Sequence, residues 1–134
     1  MEDSTIQKID SYIDEFFFME RGASIDNPQE KILFIPGVWI SRRSLKHIVE
    51  QRSINNGFEP DNIKALLGKA KLAISMPDVD MKNSSKEYPA SRLFGKFDYE
   101  INKGVMVVVD GVGAGERCVI TIFVKEARQF FKLL

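Results

Sequence analysis

Two spacings of apolar residues alternate along this chain. Ile6, Ile9, Ile13, Phe16 and Phe17 fall at helical intervals, which predicts an amphipathic helix over residues 4–21. Ser4 and Gln7 stand in capping-box order and Gly22 supplies a stop. After the breaker-rich "GASIDNPQE", the run "KILFIPGVWI" predicts one or two short strands interrupted at Pro36 and Gly37. A second helical pattern starts at Ser41, a favoured N-cap, and runs to about Ser53 before "NNG". A third begins at Pro60 and continues through "DNIKALLGKAKLAI" to "SMPD". Residues 80–91, "DMKNSSKEYPAS", are polar and rich in breakers and are expected to form a loop.

From there the period shortens to two. "RLFGKFDYEI", the turn "NKG", "VMVVVD", the glycine-rich "GVGAGE" and "RCVITIFVK" predict an antiparallel meander of three strands. "EARQFFKLL" follows as a short closing helix or a tail. Helices first and a small antiparallel sheet afterwards give an α+β fold, with the helices on one sheet face and the other face open. A chain of 134 residues fits a single domain spanning 1–134.

Composition adds an asymmetry that the pattern hides. The formal net charge is zero, yet residues 1–31 carry eight acidic and three basic side chains and residues 32–134 carry eleven and sixteen. A phosphate-bearing partner would be drawn to the second part and repelled by the first. Cys118 is the one cysteine, set in the apolar run "CVITIFV", where it reads as a small core residue with no disulfide partner. The start "MEDSTIQKID" lacks the features of a signal peptide, and no apolar run approaches membrane-span length. A cytoplasmic protein with no membrane partner is the expectation.

Periodicity also sorts the polar side chains. On the helix from residue 42, Leu45, Ile48 and Val49 form the buried stripe, Arg43, His47 and Gln51 lie opposite, and Arg52 falls back toward the buried side. On the first strand of the meander, Leu93, Gly95, Phe97, Tyr99 and Ile101 share a face, and Phe94, Lys96, Asp98 and Glu100 share the other. On the last strand, strict alternation groups Cys118, Ile120, Ile122 and Val124 against Val119, Thr121, Phe123 and Lys125.

Several chemistries drop out. One histidine and one cysteine cannot build a structural zinc site, and the aspartates lack calcium-loop order. No metal site and no cofactor is expected. "GVGAGE" lacks the lysine and hydroxyl of a phosphate loop and joins two strands, so a hairpin is the better assignment. No nucleophile-elbow sequence surrounds any serine. What remains is one histidine among several cations. RNA can be cut without metal when a base takes the 2′-hydroxyl proton, cations stabilise the charge growing at phosphorus and an acid protonates the leaving oxygen. His47 suits either proton role, and Arg43, Arg52, Arg92 and Lys96 suit the clamp.

The order of "WISRRSLKHIVEQR", "LGKAKLAISMPDVD", "RLFGKFDYEINKGVMVVVDG" and "CVITIFVKEAR" resembles the phage-associated branch of the barnase, EndoU, colicin and RelE-like nuclease superfamily. The resemblance covers residues 38–126 and leaves the N-terminal helix outside. By motif position it implies catalytic roles for His47, Lys96 and Thr121; Arg52 joins them as a catalytic candidate, and Arg43, Lys46, Arg92 and Tyr99 are the candidate substrate-binding residues. Many relatives carry a second histidine where this chain has Arg52, so either a single histidine with cations suffices or Tyr99 or Lys96 takes the second proton. It further implies a barnase- or RelE-like fold and a metal-independent, toxin-like endoribonuclease. Its partners would be RNA, tRNA among the candidates, and a cognate antitoxin or immunity protein.

Two rivals stand beside it. One is a non-catalytic binding module of the same fold, an immunity, inhibitor or phage accessory protein, favoured by the neutral net charge. The other is a small-molecule enzyme with "GVGAGE" over a phosphate. The ribonuclease requires His47, Lys96 and Thr121 to converge on one concave, basic, open sheet face; if they scatter, the binding module is favoured. The acidic segment from Glu2 to Glu20 is a further expectation, lying over the basic helix in cis.

Overall fold

Ser41 ends a strand and starts a helix, and this junction sets the architecture. Its backbone is extended, at φ −86° and ψ 156°, and its hydroxyl accepts from the Ser44 amide at 3.0 Å, one of the donors that a helix start leaves unsatisfied. The computed structural model describes Ser11, Ile13 and residues 31–111 and 116–134. Within them the order is β1 (Lys31–Ile35), β2 (Val38–Ser41), α1 (Arg42–Asn56), α2 (Pro60–Ser75), β3 (Val79–Lys82), β4 (Arg92–Asp98), β5 (Lys103–Asp110), β6 (Arg117–Glu126) and α3 (Ala127–Phe131).

α1 runs on through Asn55 and Asn56 because the stop is Gly57. Gly57 sits at φ 66°, a left-handed conformation that costs glycine little, and its amide reaches back to Ser53 O while Phe58 N reaches Arg52 O. α2 opens on Glu59, whose amide donates to Asn62 Oδ1 at 2.9 Å, with Pro60 in the first turn. It ends before Pro77, which has no amide to continue it.

The sheet has six strands in the order β1-β2-β6-β5-β4-β3, not the three of a simple meander. The fold is α+β, as expected, and the short strands expected in "KILFIPGVWI" join the same sheet as β1 and β2. β1 and β2 form a hairpin across Pro36 and Gly37, and β2 lies parallel to β6, all other pairs being antiparallel. β3 corrects the loop expected at 80–91: Val79–Lys82 pairs with Arg92–Gly95. Its Asp80 and Lys82 suit a sheet edge, where charges block further pairing. β4 stops at Asp98, short of the expected Ile101, because the buried Asp98 carboxylate accepts the Glu100 amide and Asn102 turns the chain at φ 56°.

α1 and α2 cover one sheet face. Their core joins Leu45, Ile48, Val49, Ile63, Leu66 and Ala70 to Phe94, Val105, Val107, Val109, Val119 and Ile122. Ile13 is helical and buried in the same core; the rest of the predicted N-terminal helix, and the acidic cover proposed for it, lie outside the described residues. The opposite face is not open throughout. α3 packs there, with Phe130 fully buried against Phe97 and Met106. Two glycines make room for it: a Cβ at Gly104 would stand 2.1 Å from Phe130 Cδ2, and one at Gly95 would stand 2.9 Å from Met106 Sδ.

An irregularity in β6 overturns the strict alternation expected there. Val108 pairs with Thr121 and Val109 with Val119, so Ile120 is an extra residue. Such a bulge shifts every later side chain by one position. Val119 therefore shares the helix-covered face with Ile122 and Val124, while Cys118 falls with Thr121, Phe123 and Lys125 on the other. Cys118 is half-buried, not the core residue the apolar run suggested.

Candidate functional site

α1 exposes what its periodicity assigned to solvent. Leu45, Ile48 and Val49 are buried, whereas Arg43, Lys46 and His47 are exposed. Arg43 and His47 are four residues apart and therefore neighbours on the outer surface. Arg52 is half-buried at the inner edge, its Nη1 donating to Asn56 Oδ1 at 2.8 Å. Burial lowers its pKa from the ordinary arginine value.

Across the "GFE" link, α2 adds Lys64, Lys69 and Lys71 to the same layer. The two helices together carry seven arginines and lysines against two carboxylates, Glu50 and Asp61. Among the described residues Arg43, His47, Lys64 and Lys69 take part in no ion pair, and Lys71 lies 5.4 Å from the Phe34 ring centroid. Lys46 is engaged elsewhere. The outcome is a cationic outer surface over one sheet face. The α2 lysines had not been assigned to any site.

The remaining candidates do not gather around His47. Lys96 pairs with Val105, on the helix-covered side, and its Nζ donates to Met76 O at 2.9 Å with Asp78 Oδ1 at 3.6 Å. It thus ties the C-terminal end of α2 to β4, satisfying a carbonyl the helix leaves free. Asp78 does a second job that sequence did not signal, accepting the Phe97 amide at 3.0 Å. Arg92 is held by Asp80 at 2.8 Å along the β3–β4 edge.

Thr121 lies on the other side of the sheet. Its partner Val108 alternates with Val107, which belongs to the core under α1 and α2. His47 points outward from α1, so a helix roughly 10–12 Å across and the sheet itself separate it from Thr121. Tyr99 stands exposed in the β4–β5 turn, its ring on Phe97 at 4.9 Å. The structure thus brings Arg43, Lys46 and His47 together on one helix. It sets Arg52 at the inner edge of that helix, places Lys96 and Thr121 on opposite sheet faces, and puts Arg92 and Tyr99 elsewhere.

No three of the described His, Cys, Asp and Glu side chains cluster in a way that could hold a metal ion, and no described helix is long and apolar enough to cross a membrane. Compared with protein-family models, characterised proteins and solved structures, the chain matches none.

Proposed function

We propose that this chain is a binding module that holds RNA on the outer surface of α1 and α2 without cutting it. The observation that carries the proposal is the excess of seven cationic side chains over two carboxylates on those helices, with Arg43, Lys64 and Lys69 outside any described ion pair. Phosphates are the partner such a surface attracts most strongly, through counterion release as well as direct contact. A metal-free cut needs a base, an acid and a charge clamp within hydrogen-bond reach of one phosphate. Lys96 and Thr121, on opposite sheet faces, cannot both reach a phosphate beside His47.

The toxin-like endoribonuclease of the barnase, EndoU, colicin and RelE-like superfamily is the second proposal. It is favoured by one observation, the exposure of His47 one helical turn from Arg43. On that account His47 and Arg52 would act with α1 alone, and a cognate antitoxin or immunity protein would restrain the chain in the cytoplasm. The two accounts separate in one experiment. The protein is incubated with total tRNA and a short RNA oligomer in EDTA, beside His47→Ala, and the products are examined for 2′,3′-cyclic phosphate ends. The binding module leaves RNA intact and retained; metal-independent cutting lost in His47→Ala would establish the nuclease instead.

A further inference from the structure

On the face away from α1 and α2, aromatic rings come to the surface beside cations. Phe97 is buried, and two rings rest on it: Tyr99 at 4.9 Å and an interplanar angle of 80°, Phe131 at 4.6 Å and 37°. Tyr99 is 83% exposed and Phe131 49% exposed. Phe130 is buried beneath them and spans 5.8 Å to Phe131, so the outer rings stand on a packed aromatic base. Rings held this way lose little freedom when a ligand stacks on them.

Cations surround this platform. Arg128 precedes Phe131 by three residues, and Lys132, also in a helical conformation, follows Arg128 by four, so the three side chains share the outer side of α3. Lys125 pairs with Gly104, directly under Phe130. None of Lys125, Arg128 and Lys132 takes part in an ion pair among the described residues. Glu126 is occupied by Lys103 at 2.5 Å and Asp98 is buried, which leaves Glu100 as the exposed carboxylate beside Tyr99 in the chain.

From this geometry we infer a binding site for unpaired nucleotides of a single-stranded nucleic acid, with bases stacked on Tyr99 and Phe131 and phosphates held by Lys125, Arg128 and Lys132. The pairing of flat apolar faces with nearby cations is the chemistry such strands need. An anionic membrane would also attract the cations, but insertion needs an apolar helix face turned outward. α3 has five residues and turns Ala127 and Phe130 into the sheet. This site lies on the opposite side of the molecule from the α1 and α2 surface and does not depend on it.

The test is fluorescence anisotropy in EDTA with a labelled oligouridine of about twelve nucleotides, long enough for the few-nucleotide sites such platforms use. A matching RNA duplex is measured beside it. Tyr99→Ala combined with Phe131→Ala is expected to weaken oligouridine binding at least about tenfold and leave duplex affinity unchanged, because paired bases cannot stack on the rings. Tyr99→Phe, which keeps the ring, is expected to retain affinity. Arg43→Ala with Lys64→Ala should lower duplex affinity by itself, so failure of the helical surface and of this site are read separately. Oligouridine affinity indifferent to the aromatic pair, or no oligouridine binding by the parent, would overturn the inference. So would equal losses on both RNAs, or Phe131-dependent sedimentation with phosphatidylserine vesicles in place of oligouridine binding.

Discussion

Replacing Gly104 by alanine tests how α3 is seated. The new methyl would stand 2.1, 2.5 and 2.8 Å from Phe130 Cδ2, Cγ and Cβ, so a fully buried ring has to leave its place. Overpacking of this kind costs about 1–3 kcal/mol. Alanine recovers about 0.4–1 kcal/mol by restricting the unfolded chain. The net destabilisation is then about 1–2 kcal/mol. Removing the ring instead, with Phe130→Ala, should cost about 3–5 kcal/mol. With the ring gone two of the three close contacts vanish, and Gly104→Ala should become nearly neutral. The double variant is thus expected to be more stable than the sum of the singles by about 1 kcal/mol or more. Urea unfolding followed by the fluorescence of Trp39, the single tryptophan, measures all four proteins. With a slope of about 1–3 kcal/mol/M, the Gly104→Ala midpoint should fall by about 0.3–2 M. Strict additivity of the two substitutions would refute the placement of Phe130 on Gly104, and with it the base of the aromatic platform.

Other substitutions separate structural roles from binding roles. Ser41→Ala removes the side-chain acceptor at the start of α1 and should lower stability by about 1 kcal/mol in the same urea assay. Lys96→Met breaks the bond to Met76 O and the pairing with Asp78; a loss of about 1 kcal/mol with unchanged tRNA affinity is expected. Thr121→Val is isosteric and lies on the face away from α1, so retention of tRNA in a filter-binding assay should be unaltered; a large loss would place Thr121 in the RNA site after all.

Much of this fold was legible in the chain. Ser41 and Pro60 marked two helix starts through local rules that need no tertiary context. The buried stripe of Leu45, Ile48 and Val49 followed from spacing alone. β3 was missed because a four-residue edge strand carrying Asp80 and Lys82 has the composition of a loop. The faces of Cys118 and Val119 depended on a bulge at Ile120, where one additional residue inverts their assignment relative to Thr121 and Ile122. Phe130 and Phe131 are identical neighbours, and only the hollow made by Gly95 and Gly104 decides which one is buried.

The candidate site was legible to the extent that it sits on one helix. Arg43 and His47 share a surface because four residues make about one helical turn, which sequence states directly. That Lys64 and Lys69 extend this surface depends on which sides of α1 and α2 face the sheet. That Lys96 is committed to the end of α2 depends on where that helix stops. Neither is a local property, and the motif order that grouped Lys96 with Thr121 carried no information about sheet faces.

The salt dependence of tRNA binding in EDTA, with the recovered RNA run on a denaturing gel, tests the central claim most directly. The account predicts intact RNA and a log–log slope of about −1.4 to −2.7, as two or three phosphates are neutralised by Arg43, Lys64 and Lys69. Arg43→Ala should make that slope shallower by about 0.7–0.9. Absence of binding, or shortened RNA with 2′,3′-cyclic phosphate ends that disappears in His47→Ala, would contradict it.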